Sequence, residues 1–90
     1  MLEVRYSTKF KKDFKTCVKR RWQMGKLQQI IDTLRIPAAL PPKNADHNLT
    51  VNYAGYREGH IDPDWLLIYS KRGTELYLYR TGTHADLFGI

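Results

Sequence analysis

Leu2-Glu3-Val4-Arg5-Tyr6 alternates apolar and polar residues, the period of a half-buried strand. Ser7 or Thr8 then offers a hydroxyl to the first free amides of a helix. Phe10, Phe14, Cys17 and Val18 recur at i, i+4, i+7 and i+8, one apolar stripe with most of the lysines off it. Gly25 breaks that pattern. Leu27, Ile30, Ile31 and Leu34 then mark a second amphipathic helix, stopped by Pro37, and the short linkage predicts a helical hairpin. Ile36 to Asn48 reads as a loop, with Pro37, Pro41, Pro42 and an Asn44-Ala45-Asp46 stretch. Three strands are expected beyond it: Tyr53 to Ile61, Trp65 to Ser70 and Thr74 to Arg80, with breaks at Asp62-Pro63 and Arg72-Gly73. His84 to Phe88 forms a short C-terminal tail. The order β-α-α-β-β-β predicts an α+β domain, its two N-terminal helices packed on one face of a mostly antiparallel sheet.

Composition narrows the picture. Ninety residues make a single domain, 1–90, and 42% apolar content argues against a disordered tail. One cysteine, Cys17, excludes an internal disulfide; on the apolar stripe it reads as a small core residue. The longest apolar run, Trp65 to Tyr69, is far short of the roughly 20 residues that span a membrane. No apolar signal core follows the charged start, so a cytoplasmic protein without membrane contact is expected. Charge is uneven. Residues 1–36 hold ten Lys/Arg against three acids, whereas the remainder holds five against six. The basic half suits a polyanion or an acidic partner, and equally a solvated helix face.

Three histidines are few enough to place. With tight turns at Arg72-Gly73 and Asp62-Pro63, Trp65 faces Arg80 and His60 faces Trp65, so His60, Trp65 and Arg80 line up across three strands. Asp64 begins the middle strand beside them, and His84 follows four residues after Arg80. These are the parts for cleaving RNA without a metal. Two imidazoles share the acid and base work near neutral pH, and arginine meets the charge on phosphate. Trp65 and Phe88 offer flat faces for unpaired bases. Each residue also has an ordinary reading. His47 and His60 suit exposed positions, Trp65 suits the core, and Phe88 suits a pin for the tail. No two histidines have close ligand spacing, so no metal or other cofactor is expected.

Two segments carry a resemblance. Gly55-Tyr56-Arg57-Glu58-Gly59-His60-Ile61-Asp62-Pro63-Asp64-Trp65 through Tyr69, and Arg80-Thr81-Gly82-Thr83-His84-Ala85-Asp86-Leu87-Phe88-Gly89, resemble the YafQ branch of the RelE/ParE toxin superfamily. Asp46-His47 with Leu49 resembles the loop before that branch's sheet, and Phe10-Lys11-Lys12-Asp13 its first helix. The resemblance implies a RelE-like fold and ribosome-dependent cleavage of mRNA. It also implies a cognate antitoxin that wraps the toxin and, with it, binds operator DNA. Matched motifs place functional positions at His47, His60, Asp64, Trp65, Arg80, His84 and Phe88. Lys9, Lys11, Lys12, Lys15, Lys19 and Arg20 are the residues expected on ribosomal RNA phosphates. Two rival readings remain: a ParE-like, non-enzymatic inhibitor of DNA gyrase, and a basic RNA-binding or protein-interaction module. Paired imidazoles favour the nuclease, since a binding inhibitor has no need of them.

Overall fold

The computed structural model describes residues 1–36, 47–48 and 55–89, with only the backbone at His47 and Asn48. The loop between Pro37 and Asp46 and the expected strand start at Tyr53 therefore lie outside the described residues. Elements run β1 (Glu3–Tyr6), α1 (Thr8–Lys19), α2 (Met24–Arg35), β2 (His47–Asn48), β3 (Arg57–Asp62), β4 (Trp65–Arg72), β5 (Glu75–Gly82) and α3 (His84–Phe88). They form the α+β architecture expected, in one five-stranded sheet of order β1-β5-β4-β3-β2. The β1–β5 pair is parallel and the other three are antiparallel. β2 adds an edge strand inside the segment that reads as loop.

Ser7 is the N-cap of α1: its Oγ accepts from the Phe10 amide at 2.8 Å and donates to the Tyr79 carbonyl at 2.5 Å, tying the helix start to β5. The helix hairpin turns earlier than Gly25 suggests. Arg21 takes φ 60°, and Gly25 sits in the first turn of α2. α1 and α2 cover one face of the sheet, where Phe10, Cys17, Leu27, Ile31 and Leu34 meet Trp65, Leu67, Tyr69, Leu76 and Leu78. Phe14 and Val18, expected on the buried stripe, stay 40% and 49% exposed, and Phe14 shares a cleft with exposed Tyr6.

The other face is not bare. The expected tail is a helix: α3 lays Leu87 on Leu66 and Ile68, with Tyr56, Tyr79 and Phe88 packed around them. β4 is thus buried on both faces, which explains its unbroken apolar run. No helix among the described residues is long and apolar enough to cross a membrane.

The strand register differs from expectation. Gly73, at φ 58°, takes the first position of the β4–β5 turn, so Arg72 pairs with Glu75. The β3–β4 turn likewise falls one residue later, at Pro63-Asp64, and Asp62 pairs with Trp65. Each late turn moves every pairing by two residues. Register shifts at His60/Asp62 and Ile68/Tyr69 add to this. The resulting rows are His60–Leu66–Gly82 and Glu58–Ile68–Arg80. The expected row of His60, Trp65 and Arg80 does not form.

Candidate active site

The row that carries His60 ends at Gly82, and two residues on the chain turns into α3. Thr83 caps that helix. Its Oγ1 accepts from the Asp86 amide at 3.0 Å, while Asp86 Oδ2 accepts from the Thr83 amide at 2.9 Å. Gly82 is required beneath: at φ 155°, a Cβ there would lie 3.0 Å from the Asp86 side chain. Asp86 also receives two N–H bonds from Arg20 at 2.6 and 3.0 Å. The Arg20 bond, with help from Thr83, holds its carboxyl well below the usual aspartate range.

His84 is the first residue of α3, so this clamp aims its ring. Asp64 meets it from the β3–β4 turn, accepting the His84 amide at 2.9 Å and contacting ring Nδ1 at 2.7 Å. Those two bonds, the backbone one foremost, lower the Asp64 carboxyl below its ordinary value. A carboxylate only accepts, so Nδ1 carries a proton in this contact and Nε2 is left for chemistry. The His60 ring centroid lies 5.9 Å from that of His84. Glu58 Oε1 lies 3.7 Å from His60 Nε2, and its side chain is almost wholly buried. Phe88 packs its ring 6.3 Å from His84 on the far side.

The structure therefore unites His60, Asp64, His84 and Phe88, and it adds Glu58. The signal for Glu58 lay in the sequence, because residues two apart in a strand share a face. Sequence spacing also argued against a metal site. In space, Glu58, His60 and His84 each bring one ligand atom to within 4.8 Å of the others, a donor set that fits a transition metal.

Other candidates land elsewhere. Trp65 is 3% exposed; its indole N–H donates to Thr81 Oγ1 at 2.9 Å and its ring lies 5.0 Å from that of Trp22. It is core, and the little surface it keeps lines the cleft between the α1–α2 link and the β3–β4 turn. Arg80 is clamped by Asp13 of α1, with Nε and Nη2 donating at 2.6 and 3.1 Å, while the Thr81 amide shares the same carboxylate at 3.2 Å. Asp13 had no signal in the sequence, lying 67 residues from its partner. The backbone of His47 pairs with Glu58 at the sheet edge, whereas its side chain lies outside the described residues. Lys9, Lys11, Lys12, Lys15 and Lys19 are exposed. Lys9 leans over the Tyr79 ring at 5.8 Å, and Lys11 and Lys15 rim a cleft with Tyr6 and Phe14. Arg20 is committed to Asp86 and to the Trp22 ring. Cys17 is buried, and desolvation pushes its thiol up to about 11, which makes it a poor nucleophile.

Comparison with known proteins gives a consistent picture. Residues 2–89 match the family model described as the bacterial toxin of type II toxin–antitoxin system, YafQ. The mRNA interferase toxin YafQ of Escherichia coli strain B/BL21-DE3 is 42% identical over 88 residues, covering 97% of this chain and 96% of that one. The crystal structure of YafQ from that strain superposes with a TM-score of 0.93 at 40% identity, over 99% of this chain and 100% of the other. The toxin in the E. coli DinJ-YafQ toxin-antitoxin complex gives 0.90 at 40% identity, over 98% of each. A copper-bound mutant toxin from Helicobacter pylori gives 0.93 at 36% identity, over 98% of this chain and 100% of that one.

Proposed function

The chain belongs to the YafQ family of bacterial toxins from type II toxin–antitoxin systems, and from that premise we propose how it acts as an mRNA interferase, an endoribonuclease that cuts mRNA. The observation that carries the reading is the line from Asp64 through His84 to His60. His60 takes the proton of the 2′-hydroxyl, whose oxygen attacks the adjacent phosphorus. The P–O5′ bond breaks, and His84, as the imidazolium with Nδ1–H held by Asp64, gives its Nε2 proton to the leaving 5′-oxygen. Asp64 orients His84 through Nδ1 rather than serving as base, because its carboxyl is already spent on that contact. Arg80, the cation expected at the crowded phosphate, is neutralised here by Asp13, so it would meet the phosphate only by leaving that carboxylate. The products are a 2′,3′-cyclic phosphate and a 5′-hydroxyl, and no metal takes part in the transfer.

The copper-bound relative bears on this scheme. Glu58, His60 and His84 would hold such an ion here. A bound ion would draw the imidazole lone pairs into coordination and away from proton transfer.

The substrate is mRNA on the ribosome in the cytoplasm, and the lysines of α1 meet ribosomal RNA phosphates. The cognate antitoxin is an acidic partner, by analogy with the E. coli toxin solved with DinJ. Exposed Tyr6 and Phe14 beside Lys11 and Lys15 suit an amphipathic acidic segment. Operator DNA is reached only through that complex.

The test is cleavage of ribosome-bound mRNA by purified His84→Ala, with end-group analysis. The variant should lose about 10²–10⁴-fold in rate and melt like the wild type. Wild-type products should carry cyclic or 3′-phosphate ends and persist in chelator. Wild-type rates from the folded variant would remove His84 from the reaction. Chelator-sensitive cleavage leaving 3′-hydroxyl ends would overturn the 2′-hydroxyl route.

A further inference from the structure

Beside the Asp64–His84 pair, a cleft of about 450 Å³ opens between the α1–α2 link and the β3–β4 turn. Arg21, Trp22 and Gln23 form one wall; Asp62, Asp64 and Thr83 form the other. The second wall is continuous with the catalytic groups, since Asp64 holds the His84 ring and Thr83 caps its helix. Its charges are spent. Asp62 accepts from Lys26 at 2.9 Å, and Asp64 is committed to His84.

The first wall is unspent. Gln23 stands at the N-cap of α2 yet makes no side-chain cap bond, so among the described residues its amide keeps both a donor and an acceptor. The Arg21 guanidinium makes no ion pair among the described residues, which leaves the one uncompensated charge of the lining. Arg21 also sits at φ 60°, a conformation that glycine takes without strain and arginine does not. Trp22, held between Trp65 and Arg20, is an apolar wall with little freedom to move.

We infer that this cleft receives the nucleobase beside the scissile phosphate, and that Gln23 sets which mRNA sequences are cut while Arg21 holds the flanking phosphate. The inference rests on the RNA-cleaving reading above. A planar base fits the volume, an amide with donor and acceptor reads a base edge, and the free guanidinium meets the flanking phosphate. A strand with its phosphate between the two imidazoles has this opening beside it, because Asp64 borders both.

The experiment maps cleavage positions on ribosome-bound mRNA for the wild type, Gln23→Ala, Gln23→Glu and Arg21→Gly, with melting curves alongside. Arg21→Gly removes the charge and suits φ 60°, so it should fold at least as well as the wild type. Gln23→Ala should flatten the preference at one position next to the cut by roughly tenfold. Gln23→Glu, nearly isosteric, should change which base is preferred there. Arg21→Gly should raise KM by roughly tenfold with kcat and pattern kept. If the wild type cleaves and all three variants keep its pattern and KM, the cleft inference falls and the reaction stands. A wild type that cuts no mRNA overturns the reaction and the cleft together. Variants that cleave as the wild type does but no longer bind the antitoxin assign the cleft to the protein partner, which also overturns the inference.

Discussion

His84 owes its orientation to a carboxylate that reaches it from the β3–β4 turn, twenty residues earlier. Asparagine at position 64 keeps the size but offers an amide that can donate as well as accept, so the preferred tautomer of His84 is no longer enforced. Asp64→Asn should therefore lower the cleavage rate about 10–100-fold, the usual effect of removing a partner that orients a functional imidazole. A pH–rate profile checks the role. The lowered Asp64 carboxyl keeps the contact intact at neutral pH and loses it only as pH falls below the ordinary aspartate value of about 3.9, so the wild-type profile should show no Asp64 limb above pH 4. Equal rates in variant and wild type would remove Asp64 from the mechanism. The sequence named His60, Asp64 and His84 as candidates, and the structure brings them together through the β3–β4 turn and α3 rather than through the strand row expected. Glu58 was equally legible, two positions from His60, but a lone strand glutamate reads as surface until its burial is known. The Asp13–Arg80 clamp was not, since nothing in a helix sequence says which distant strand its acid will meet. Trp65 shows the opposite error. Its apolar neighbours already favoured the core, and the stacking role depended on a register that does not occur.

At the scale of elements, α3 is the piece that the sequence understated. Five residues are too few to hold a helix by backbone bonds alone. The capping box and the Arg20 clamp supply what length does not. Asp86→Asn weakens both and should cost about 1–3 kcal/mol, measured as a drop in urea midpoint. The sign of the pH effect follows from the lowered Asp86 carboxyl. Its stabilising share is complete above the unfolded aspartate value of about 3.9 and is lost as pH falls through the lower folded value. The gap between wild type and variant should therefore narrow from pH 5 to pH 2; a constant gap would count against the clamp. Periodicity located the helices and the central strand well, because apolar residues must face the core at fixed intervals. It failed at the turns, where one residue decides every pairing beyond it. Gly73 marked the right place, but not which turn position it would fill.

Over the whole molecule, the charge is divided as the sequence implied, and the fold distributes it further. Arg20 and Arg80 are spent on internal carboxylates, so the lysines of α1 carry the free positive charge of that helix. Reversing Lys11, Lys12 and Lys15 to Glu should weaken ribosome binding with the melting point little changed. The salt slope of binding should fall by about one unit for each phosphate that the helix no longer neutralises. An unaltered slope in a salt titration would sink this. The parallel pairing of β1 with β5 has a consequence for how the protein is made. Glu3 to Tyr6 leave the ribosome first, yet their partners Glu75 to Leu78 follow some seventy residues later. Until β5 emerges, the first strand has no strand to pair with, Ser7 has no Tyr79 carbonyl to grip, and His84 does not yet exist. The histidine pair and the fold that positions it are thus complete only once α3 has been made.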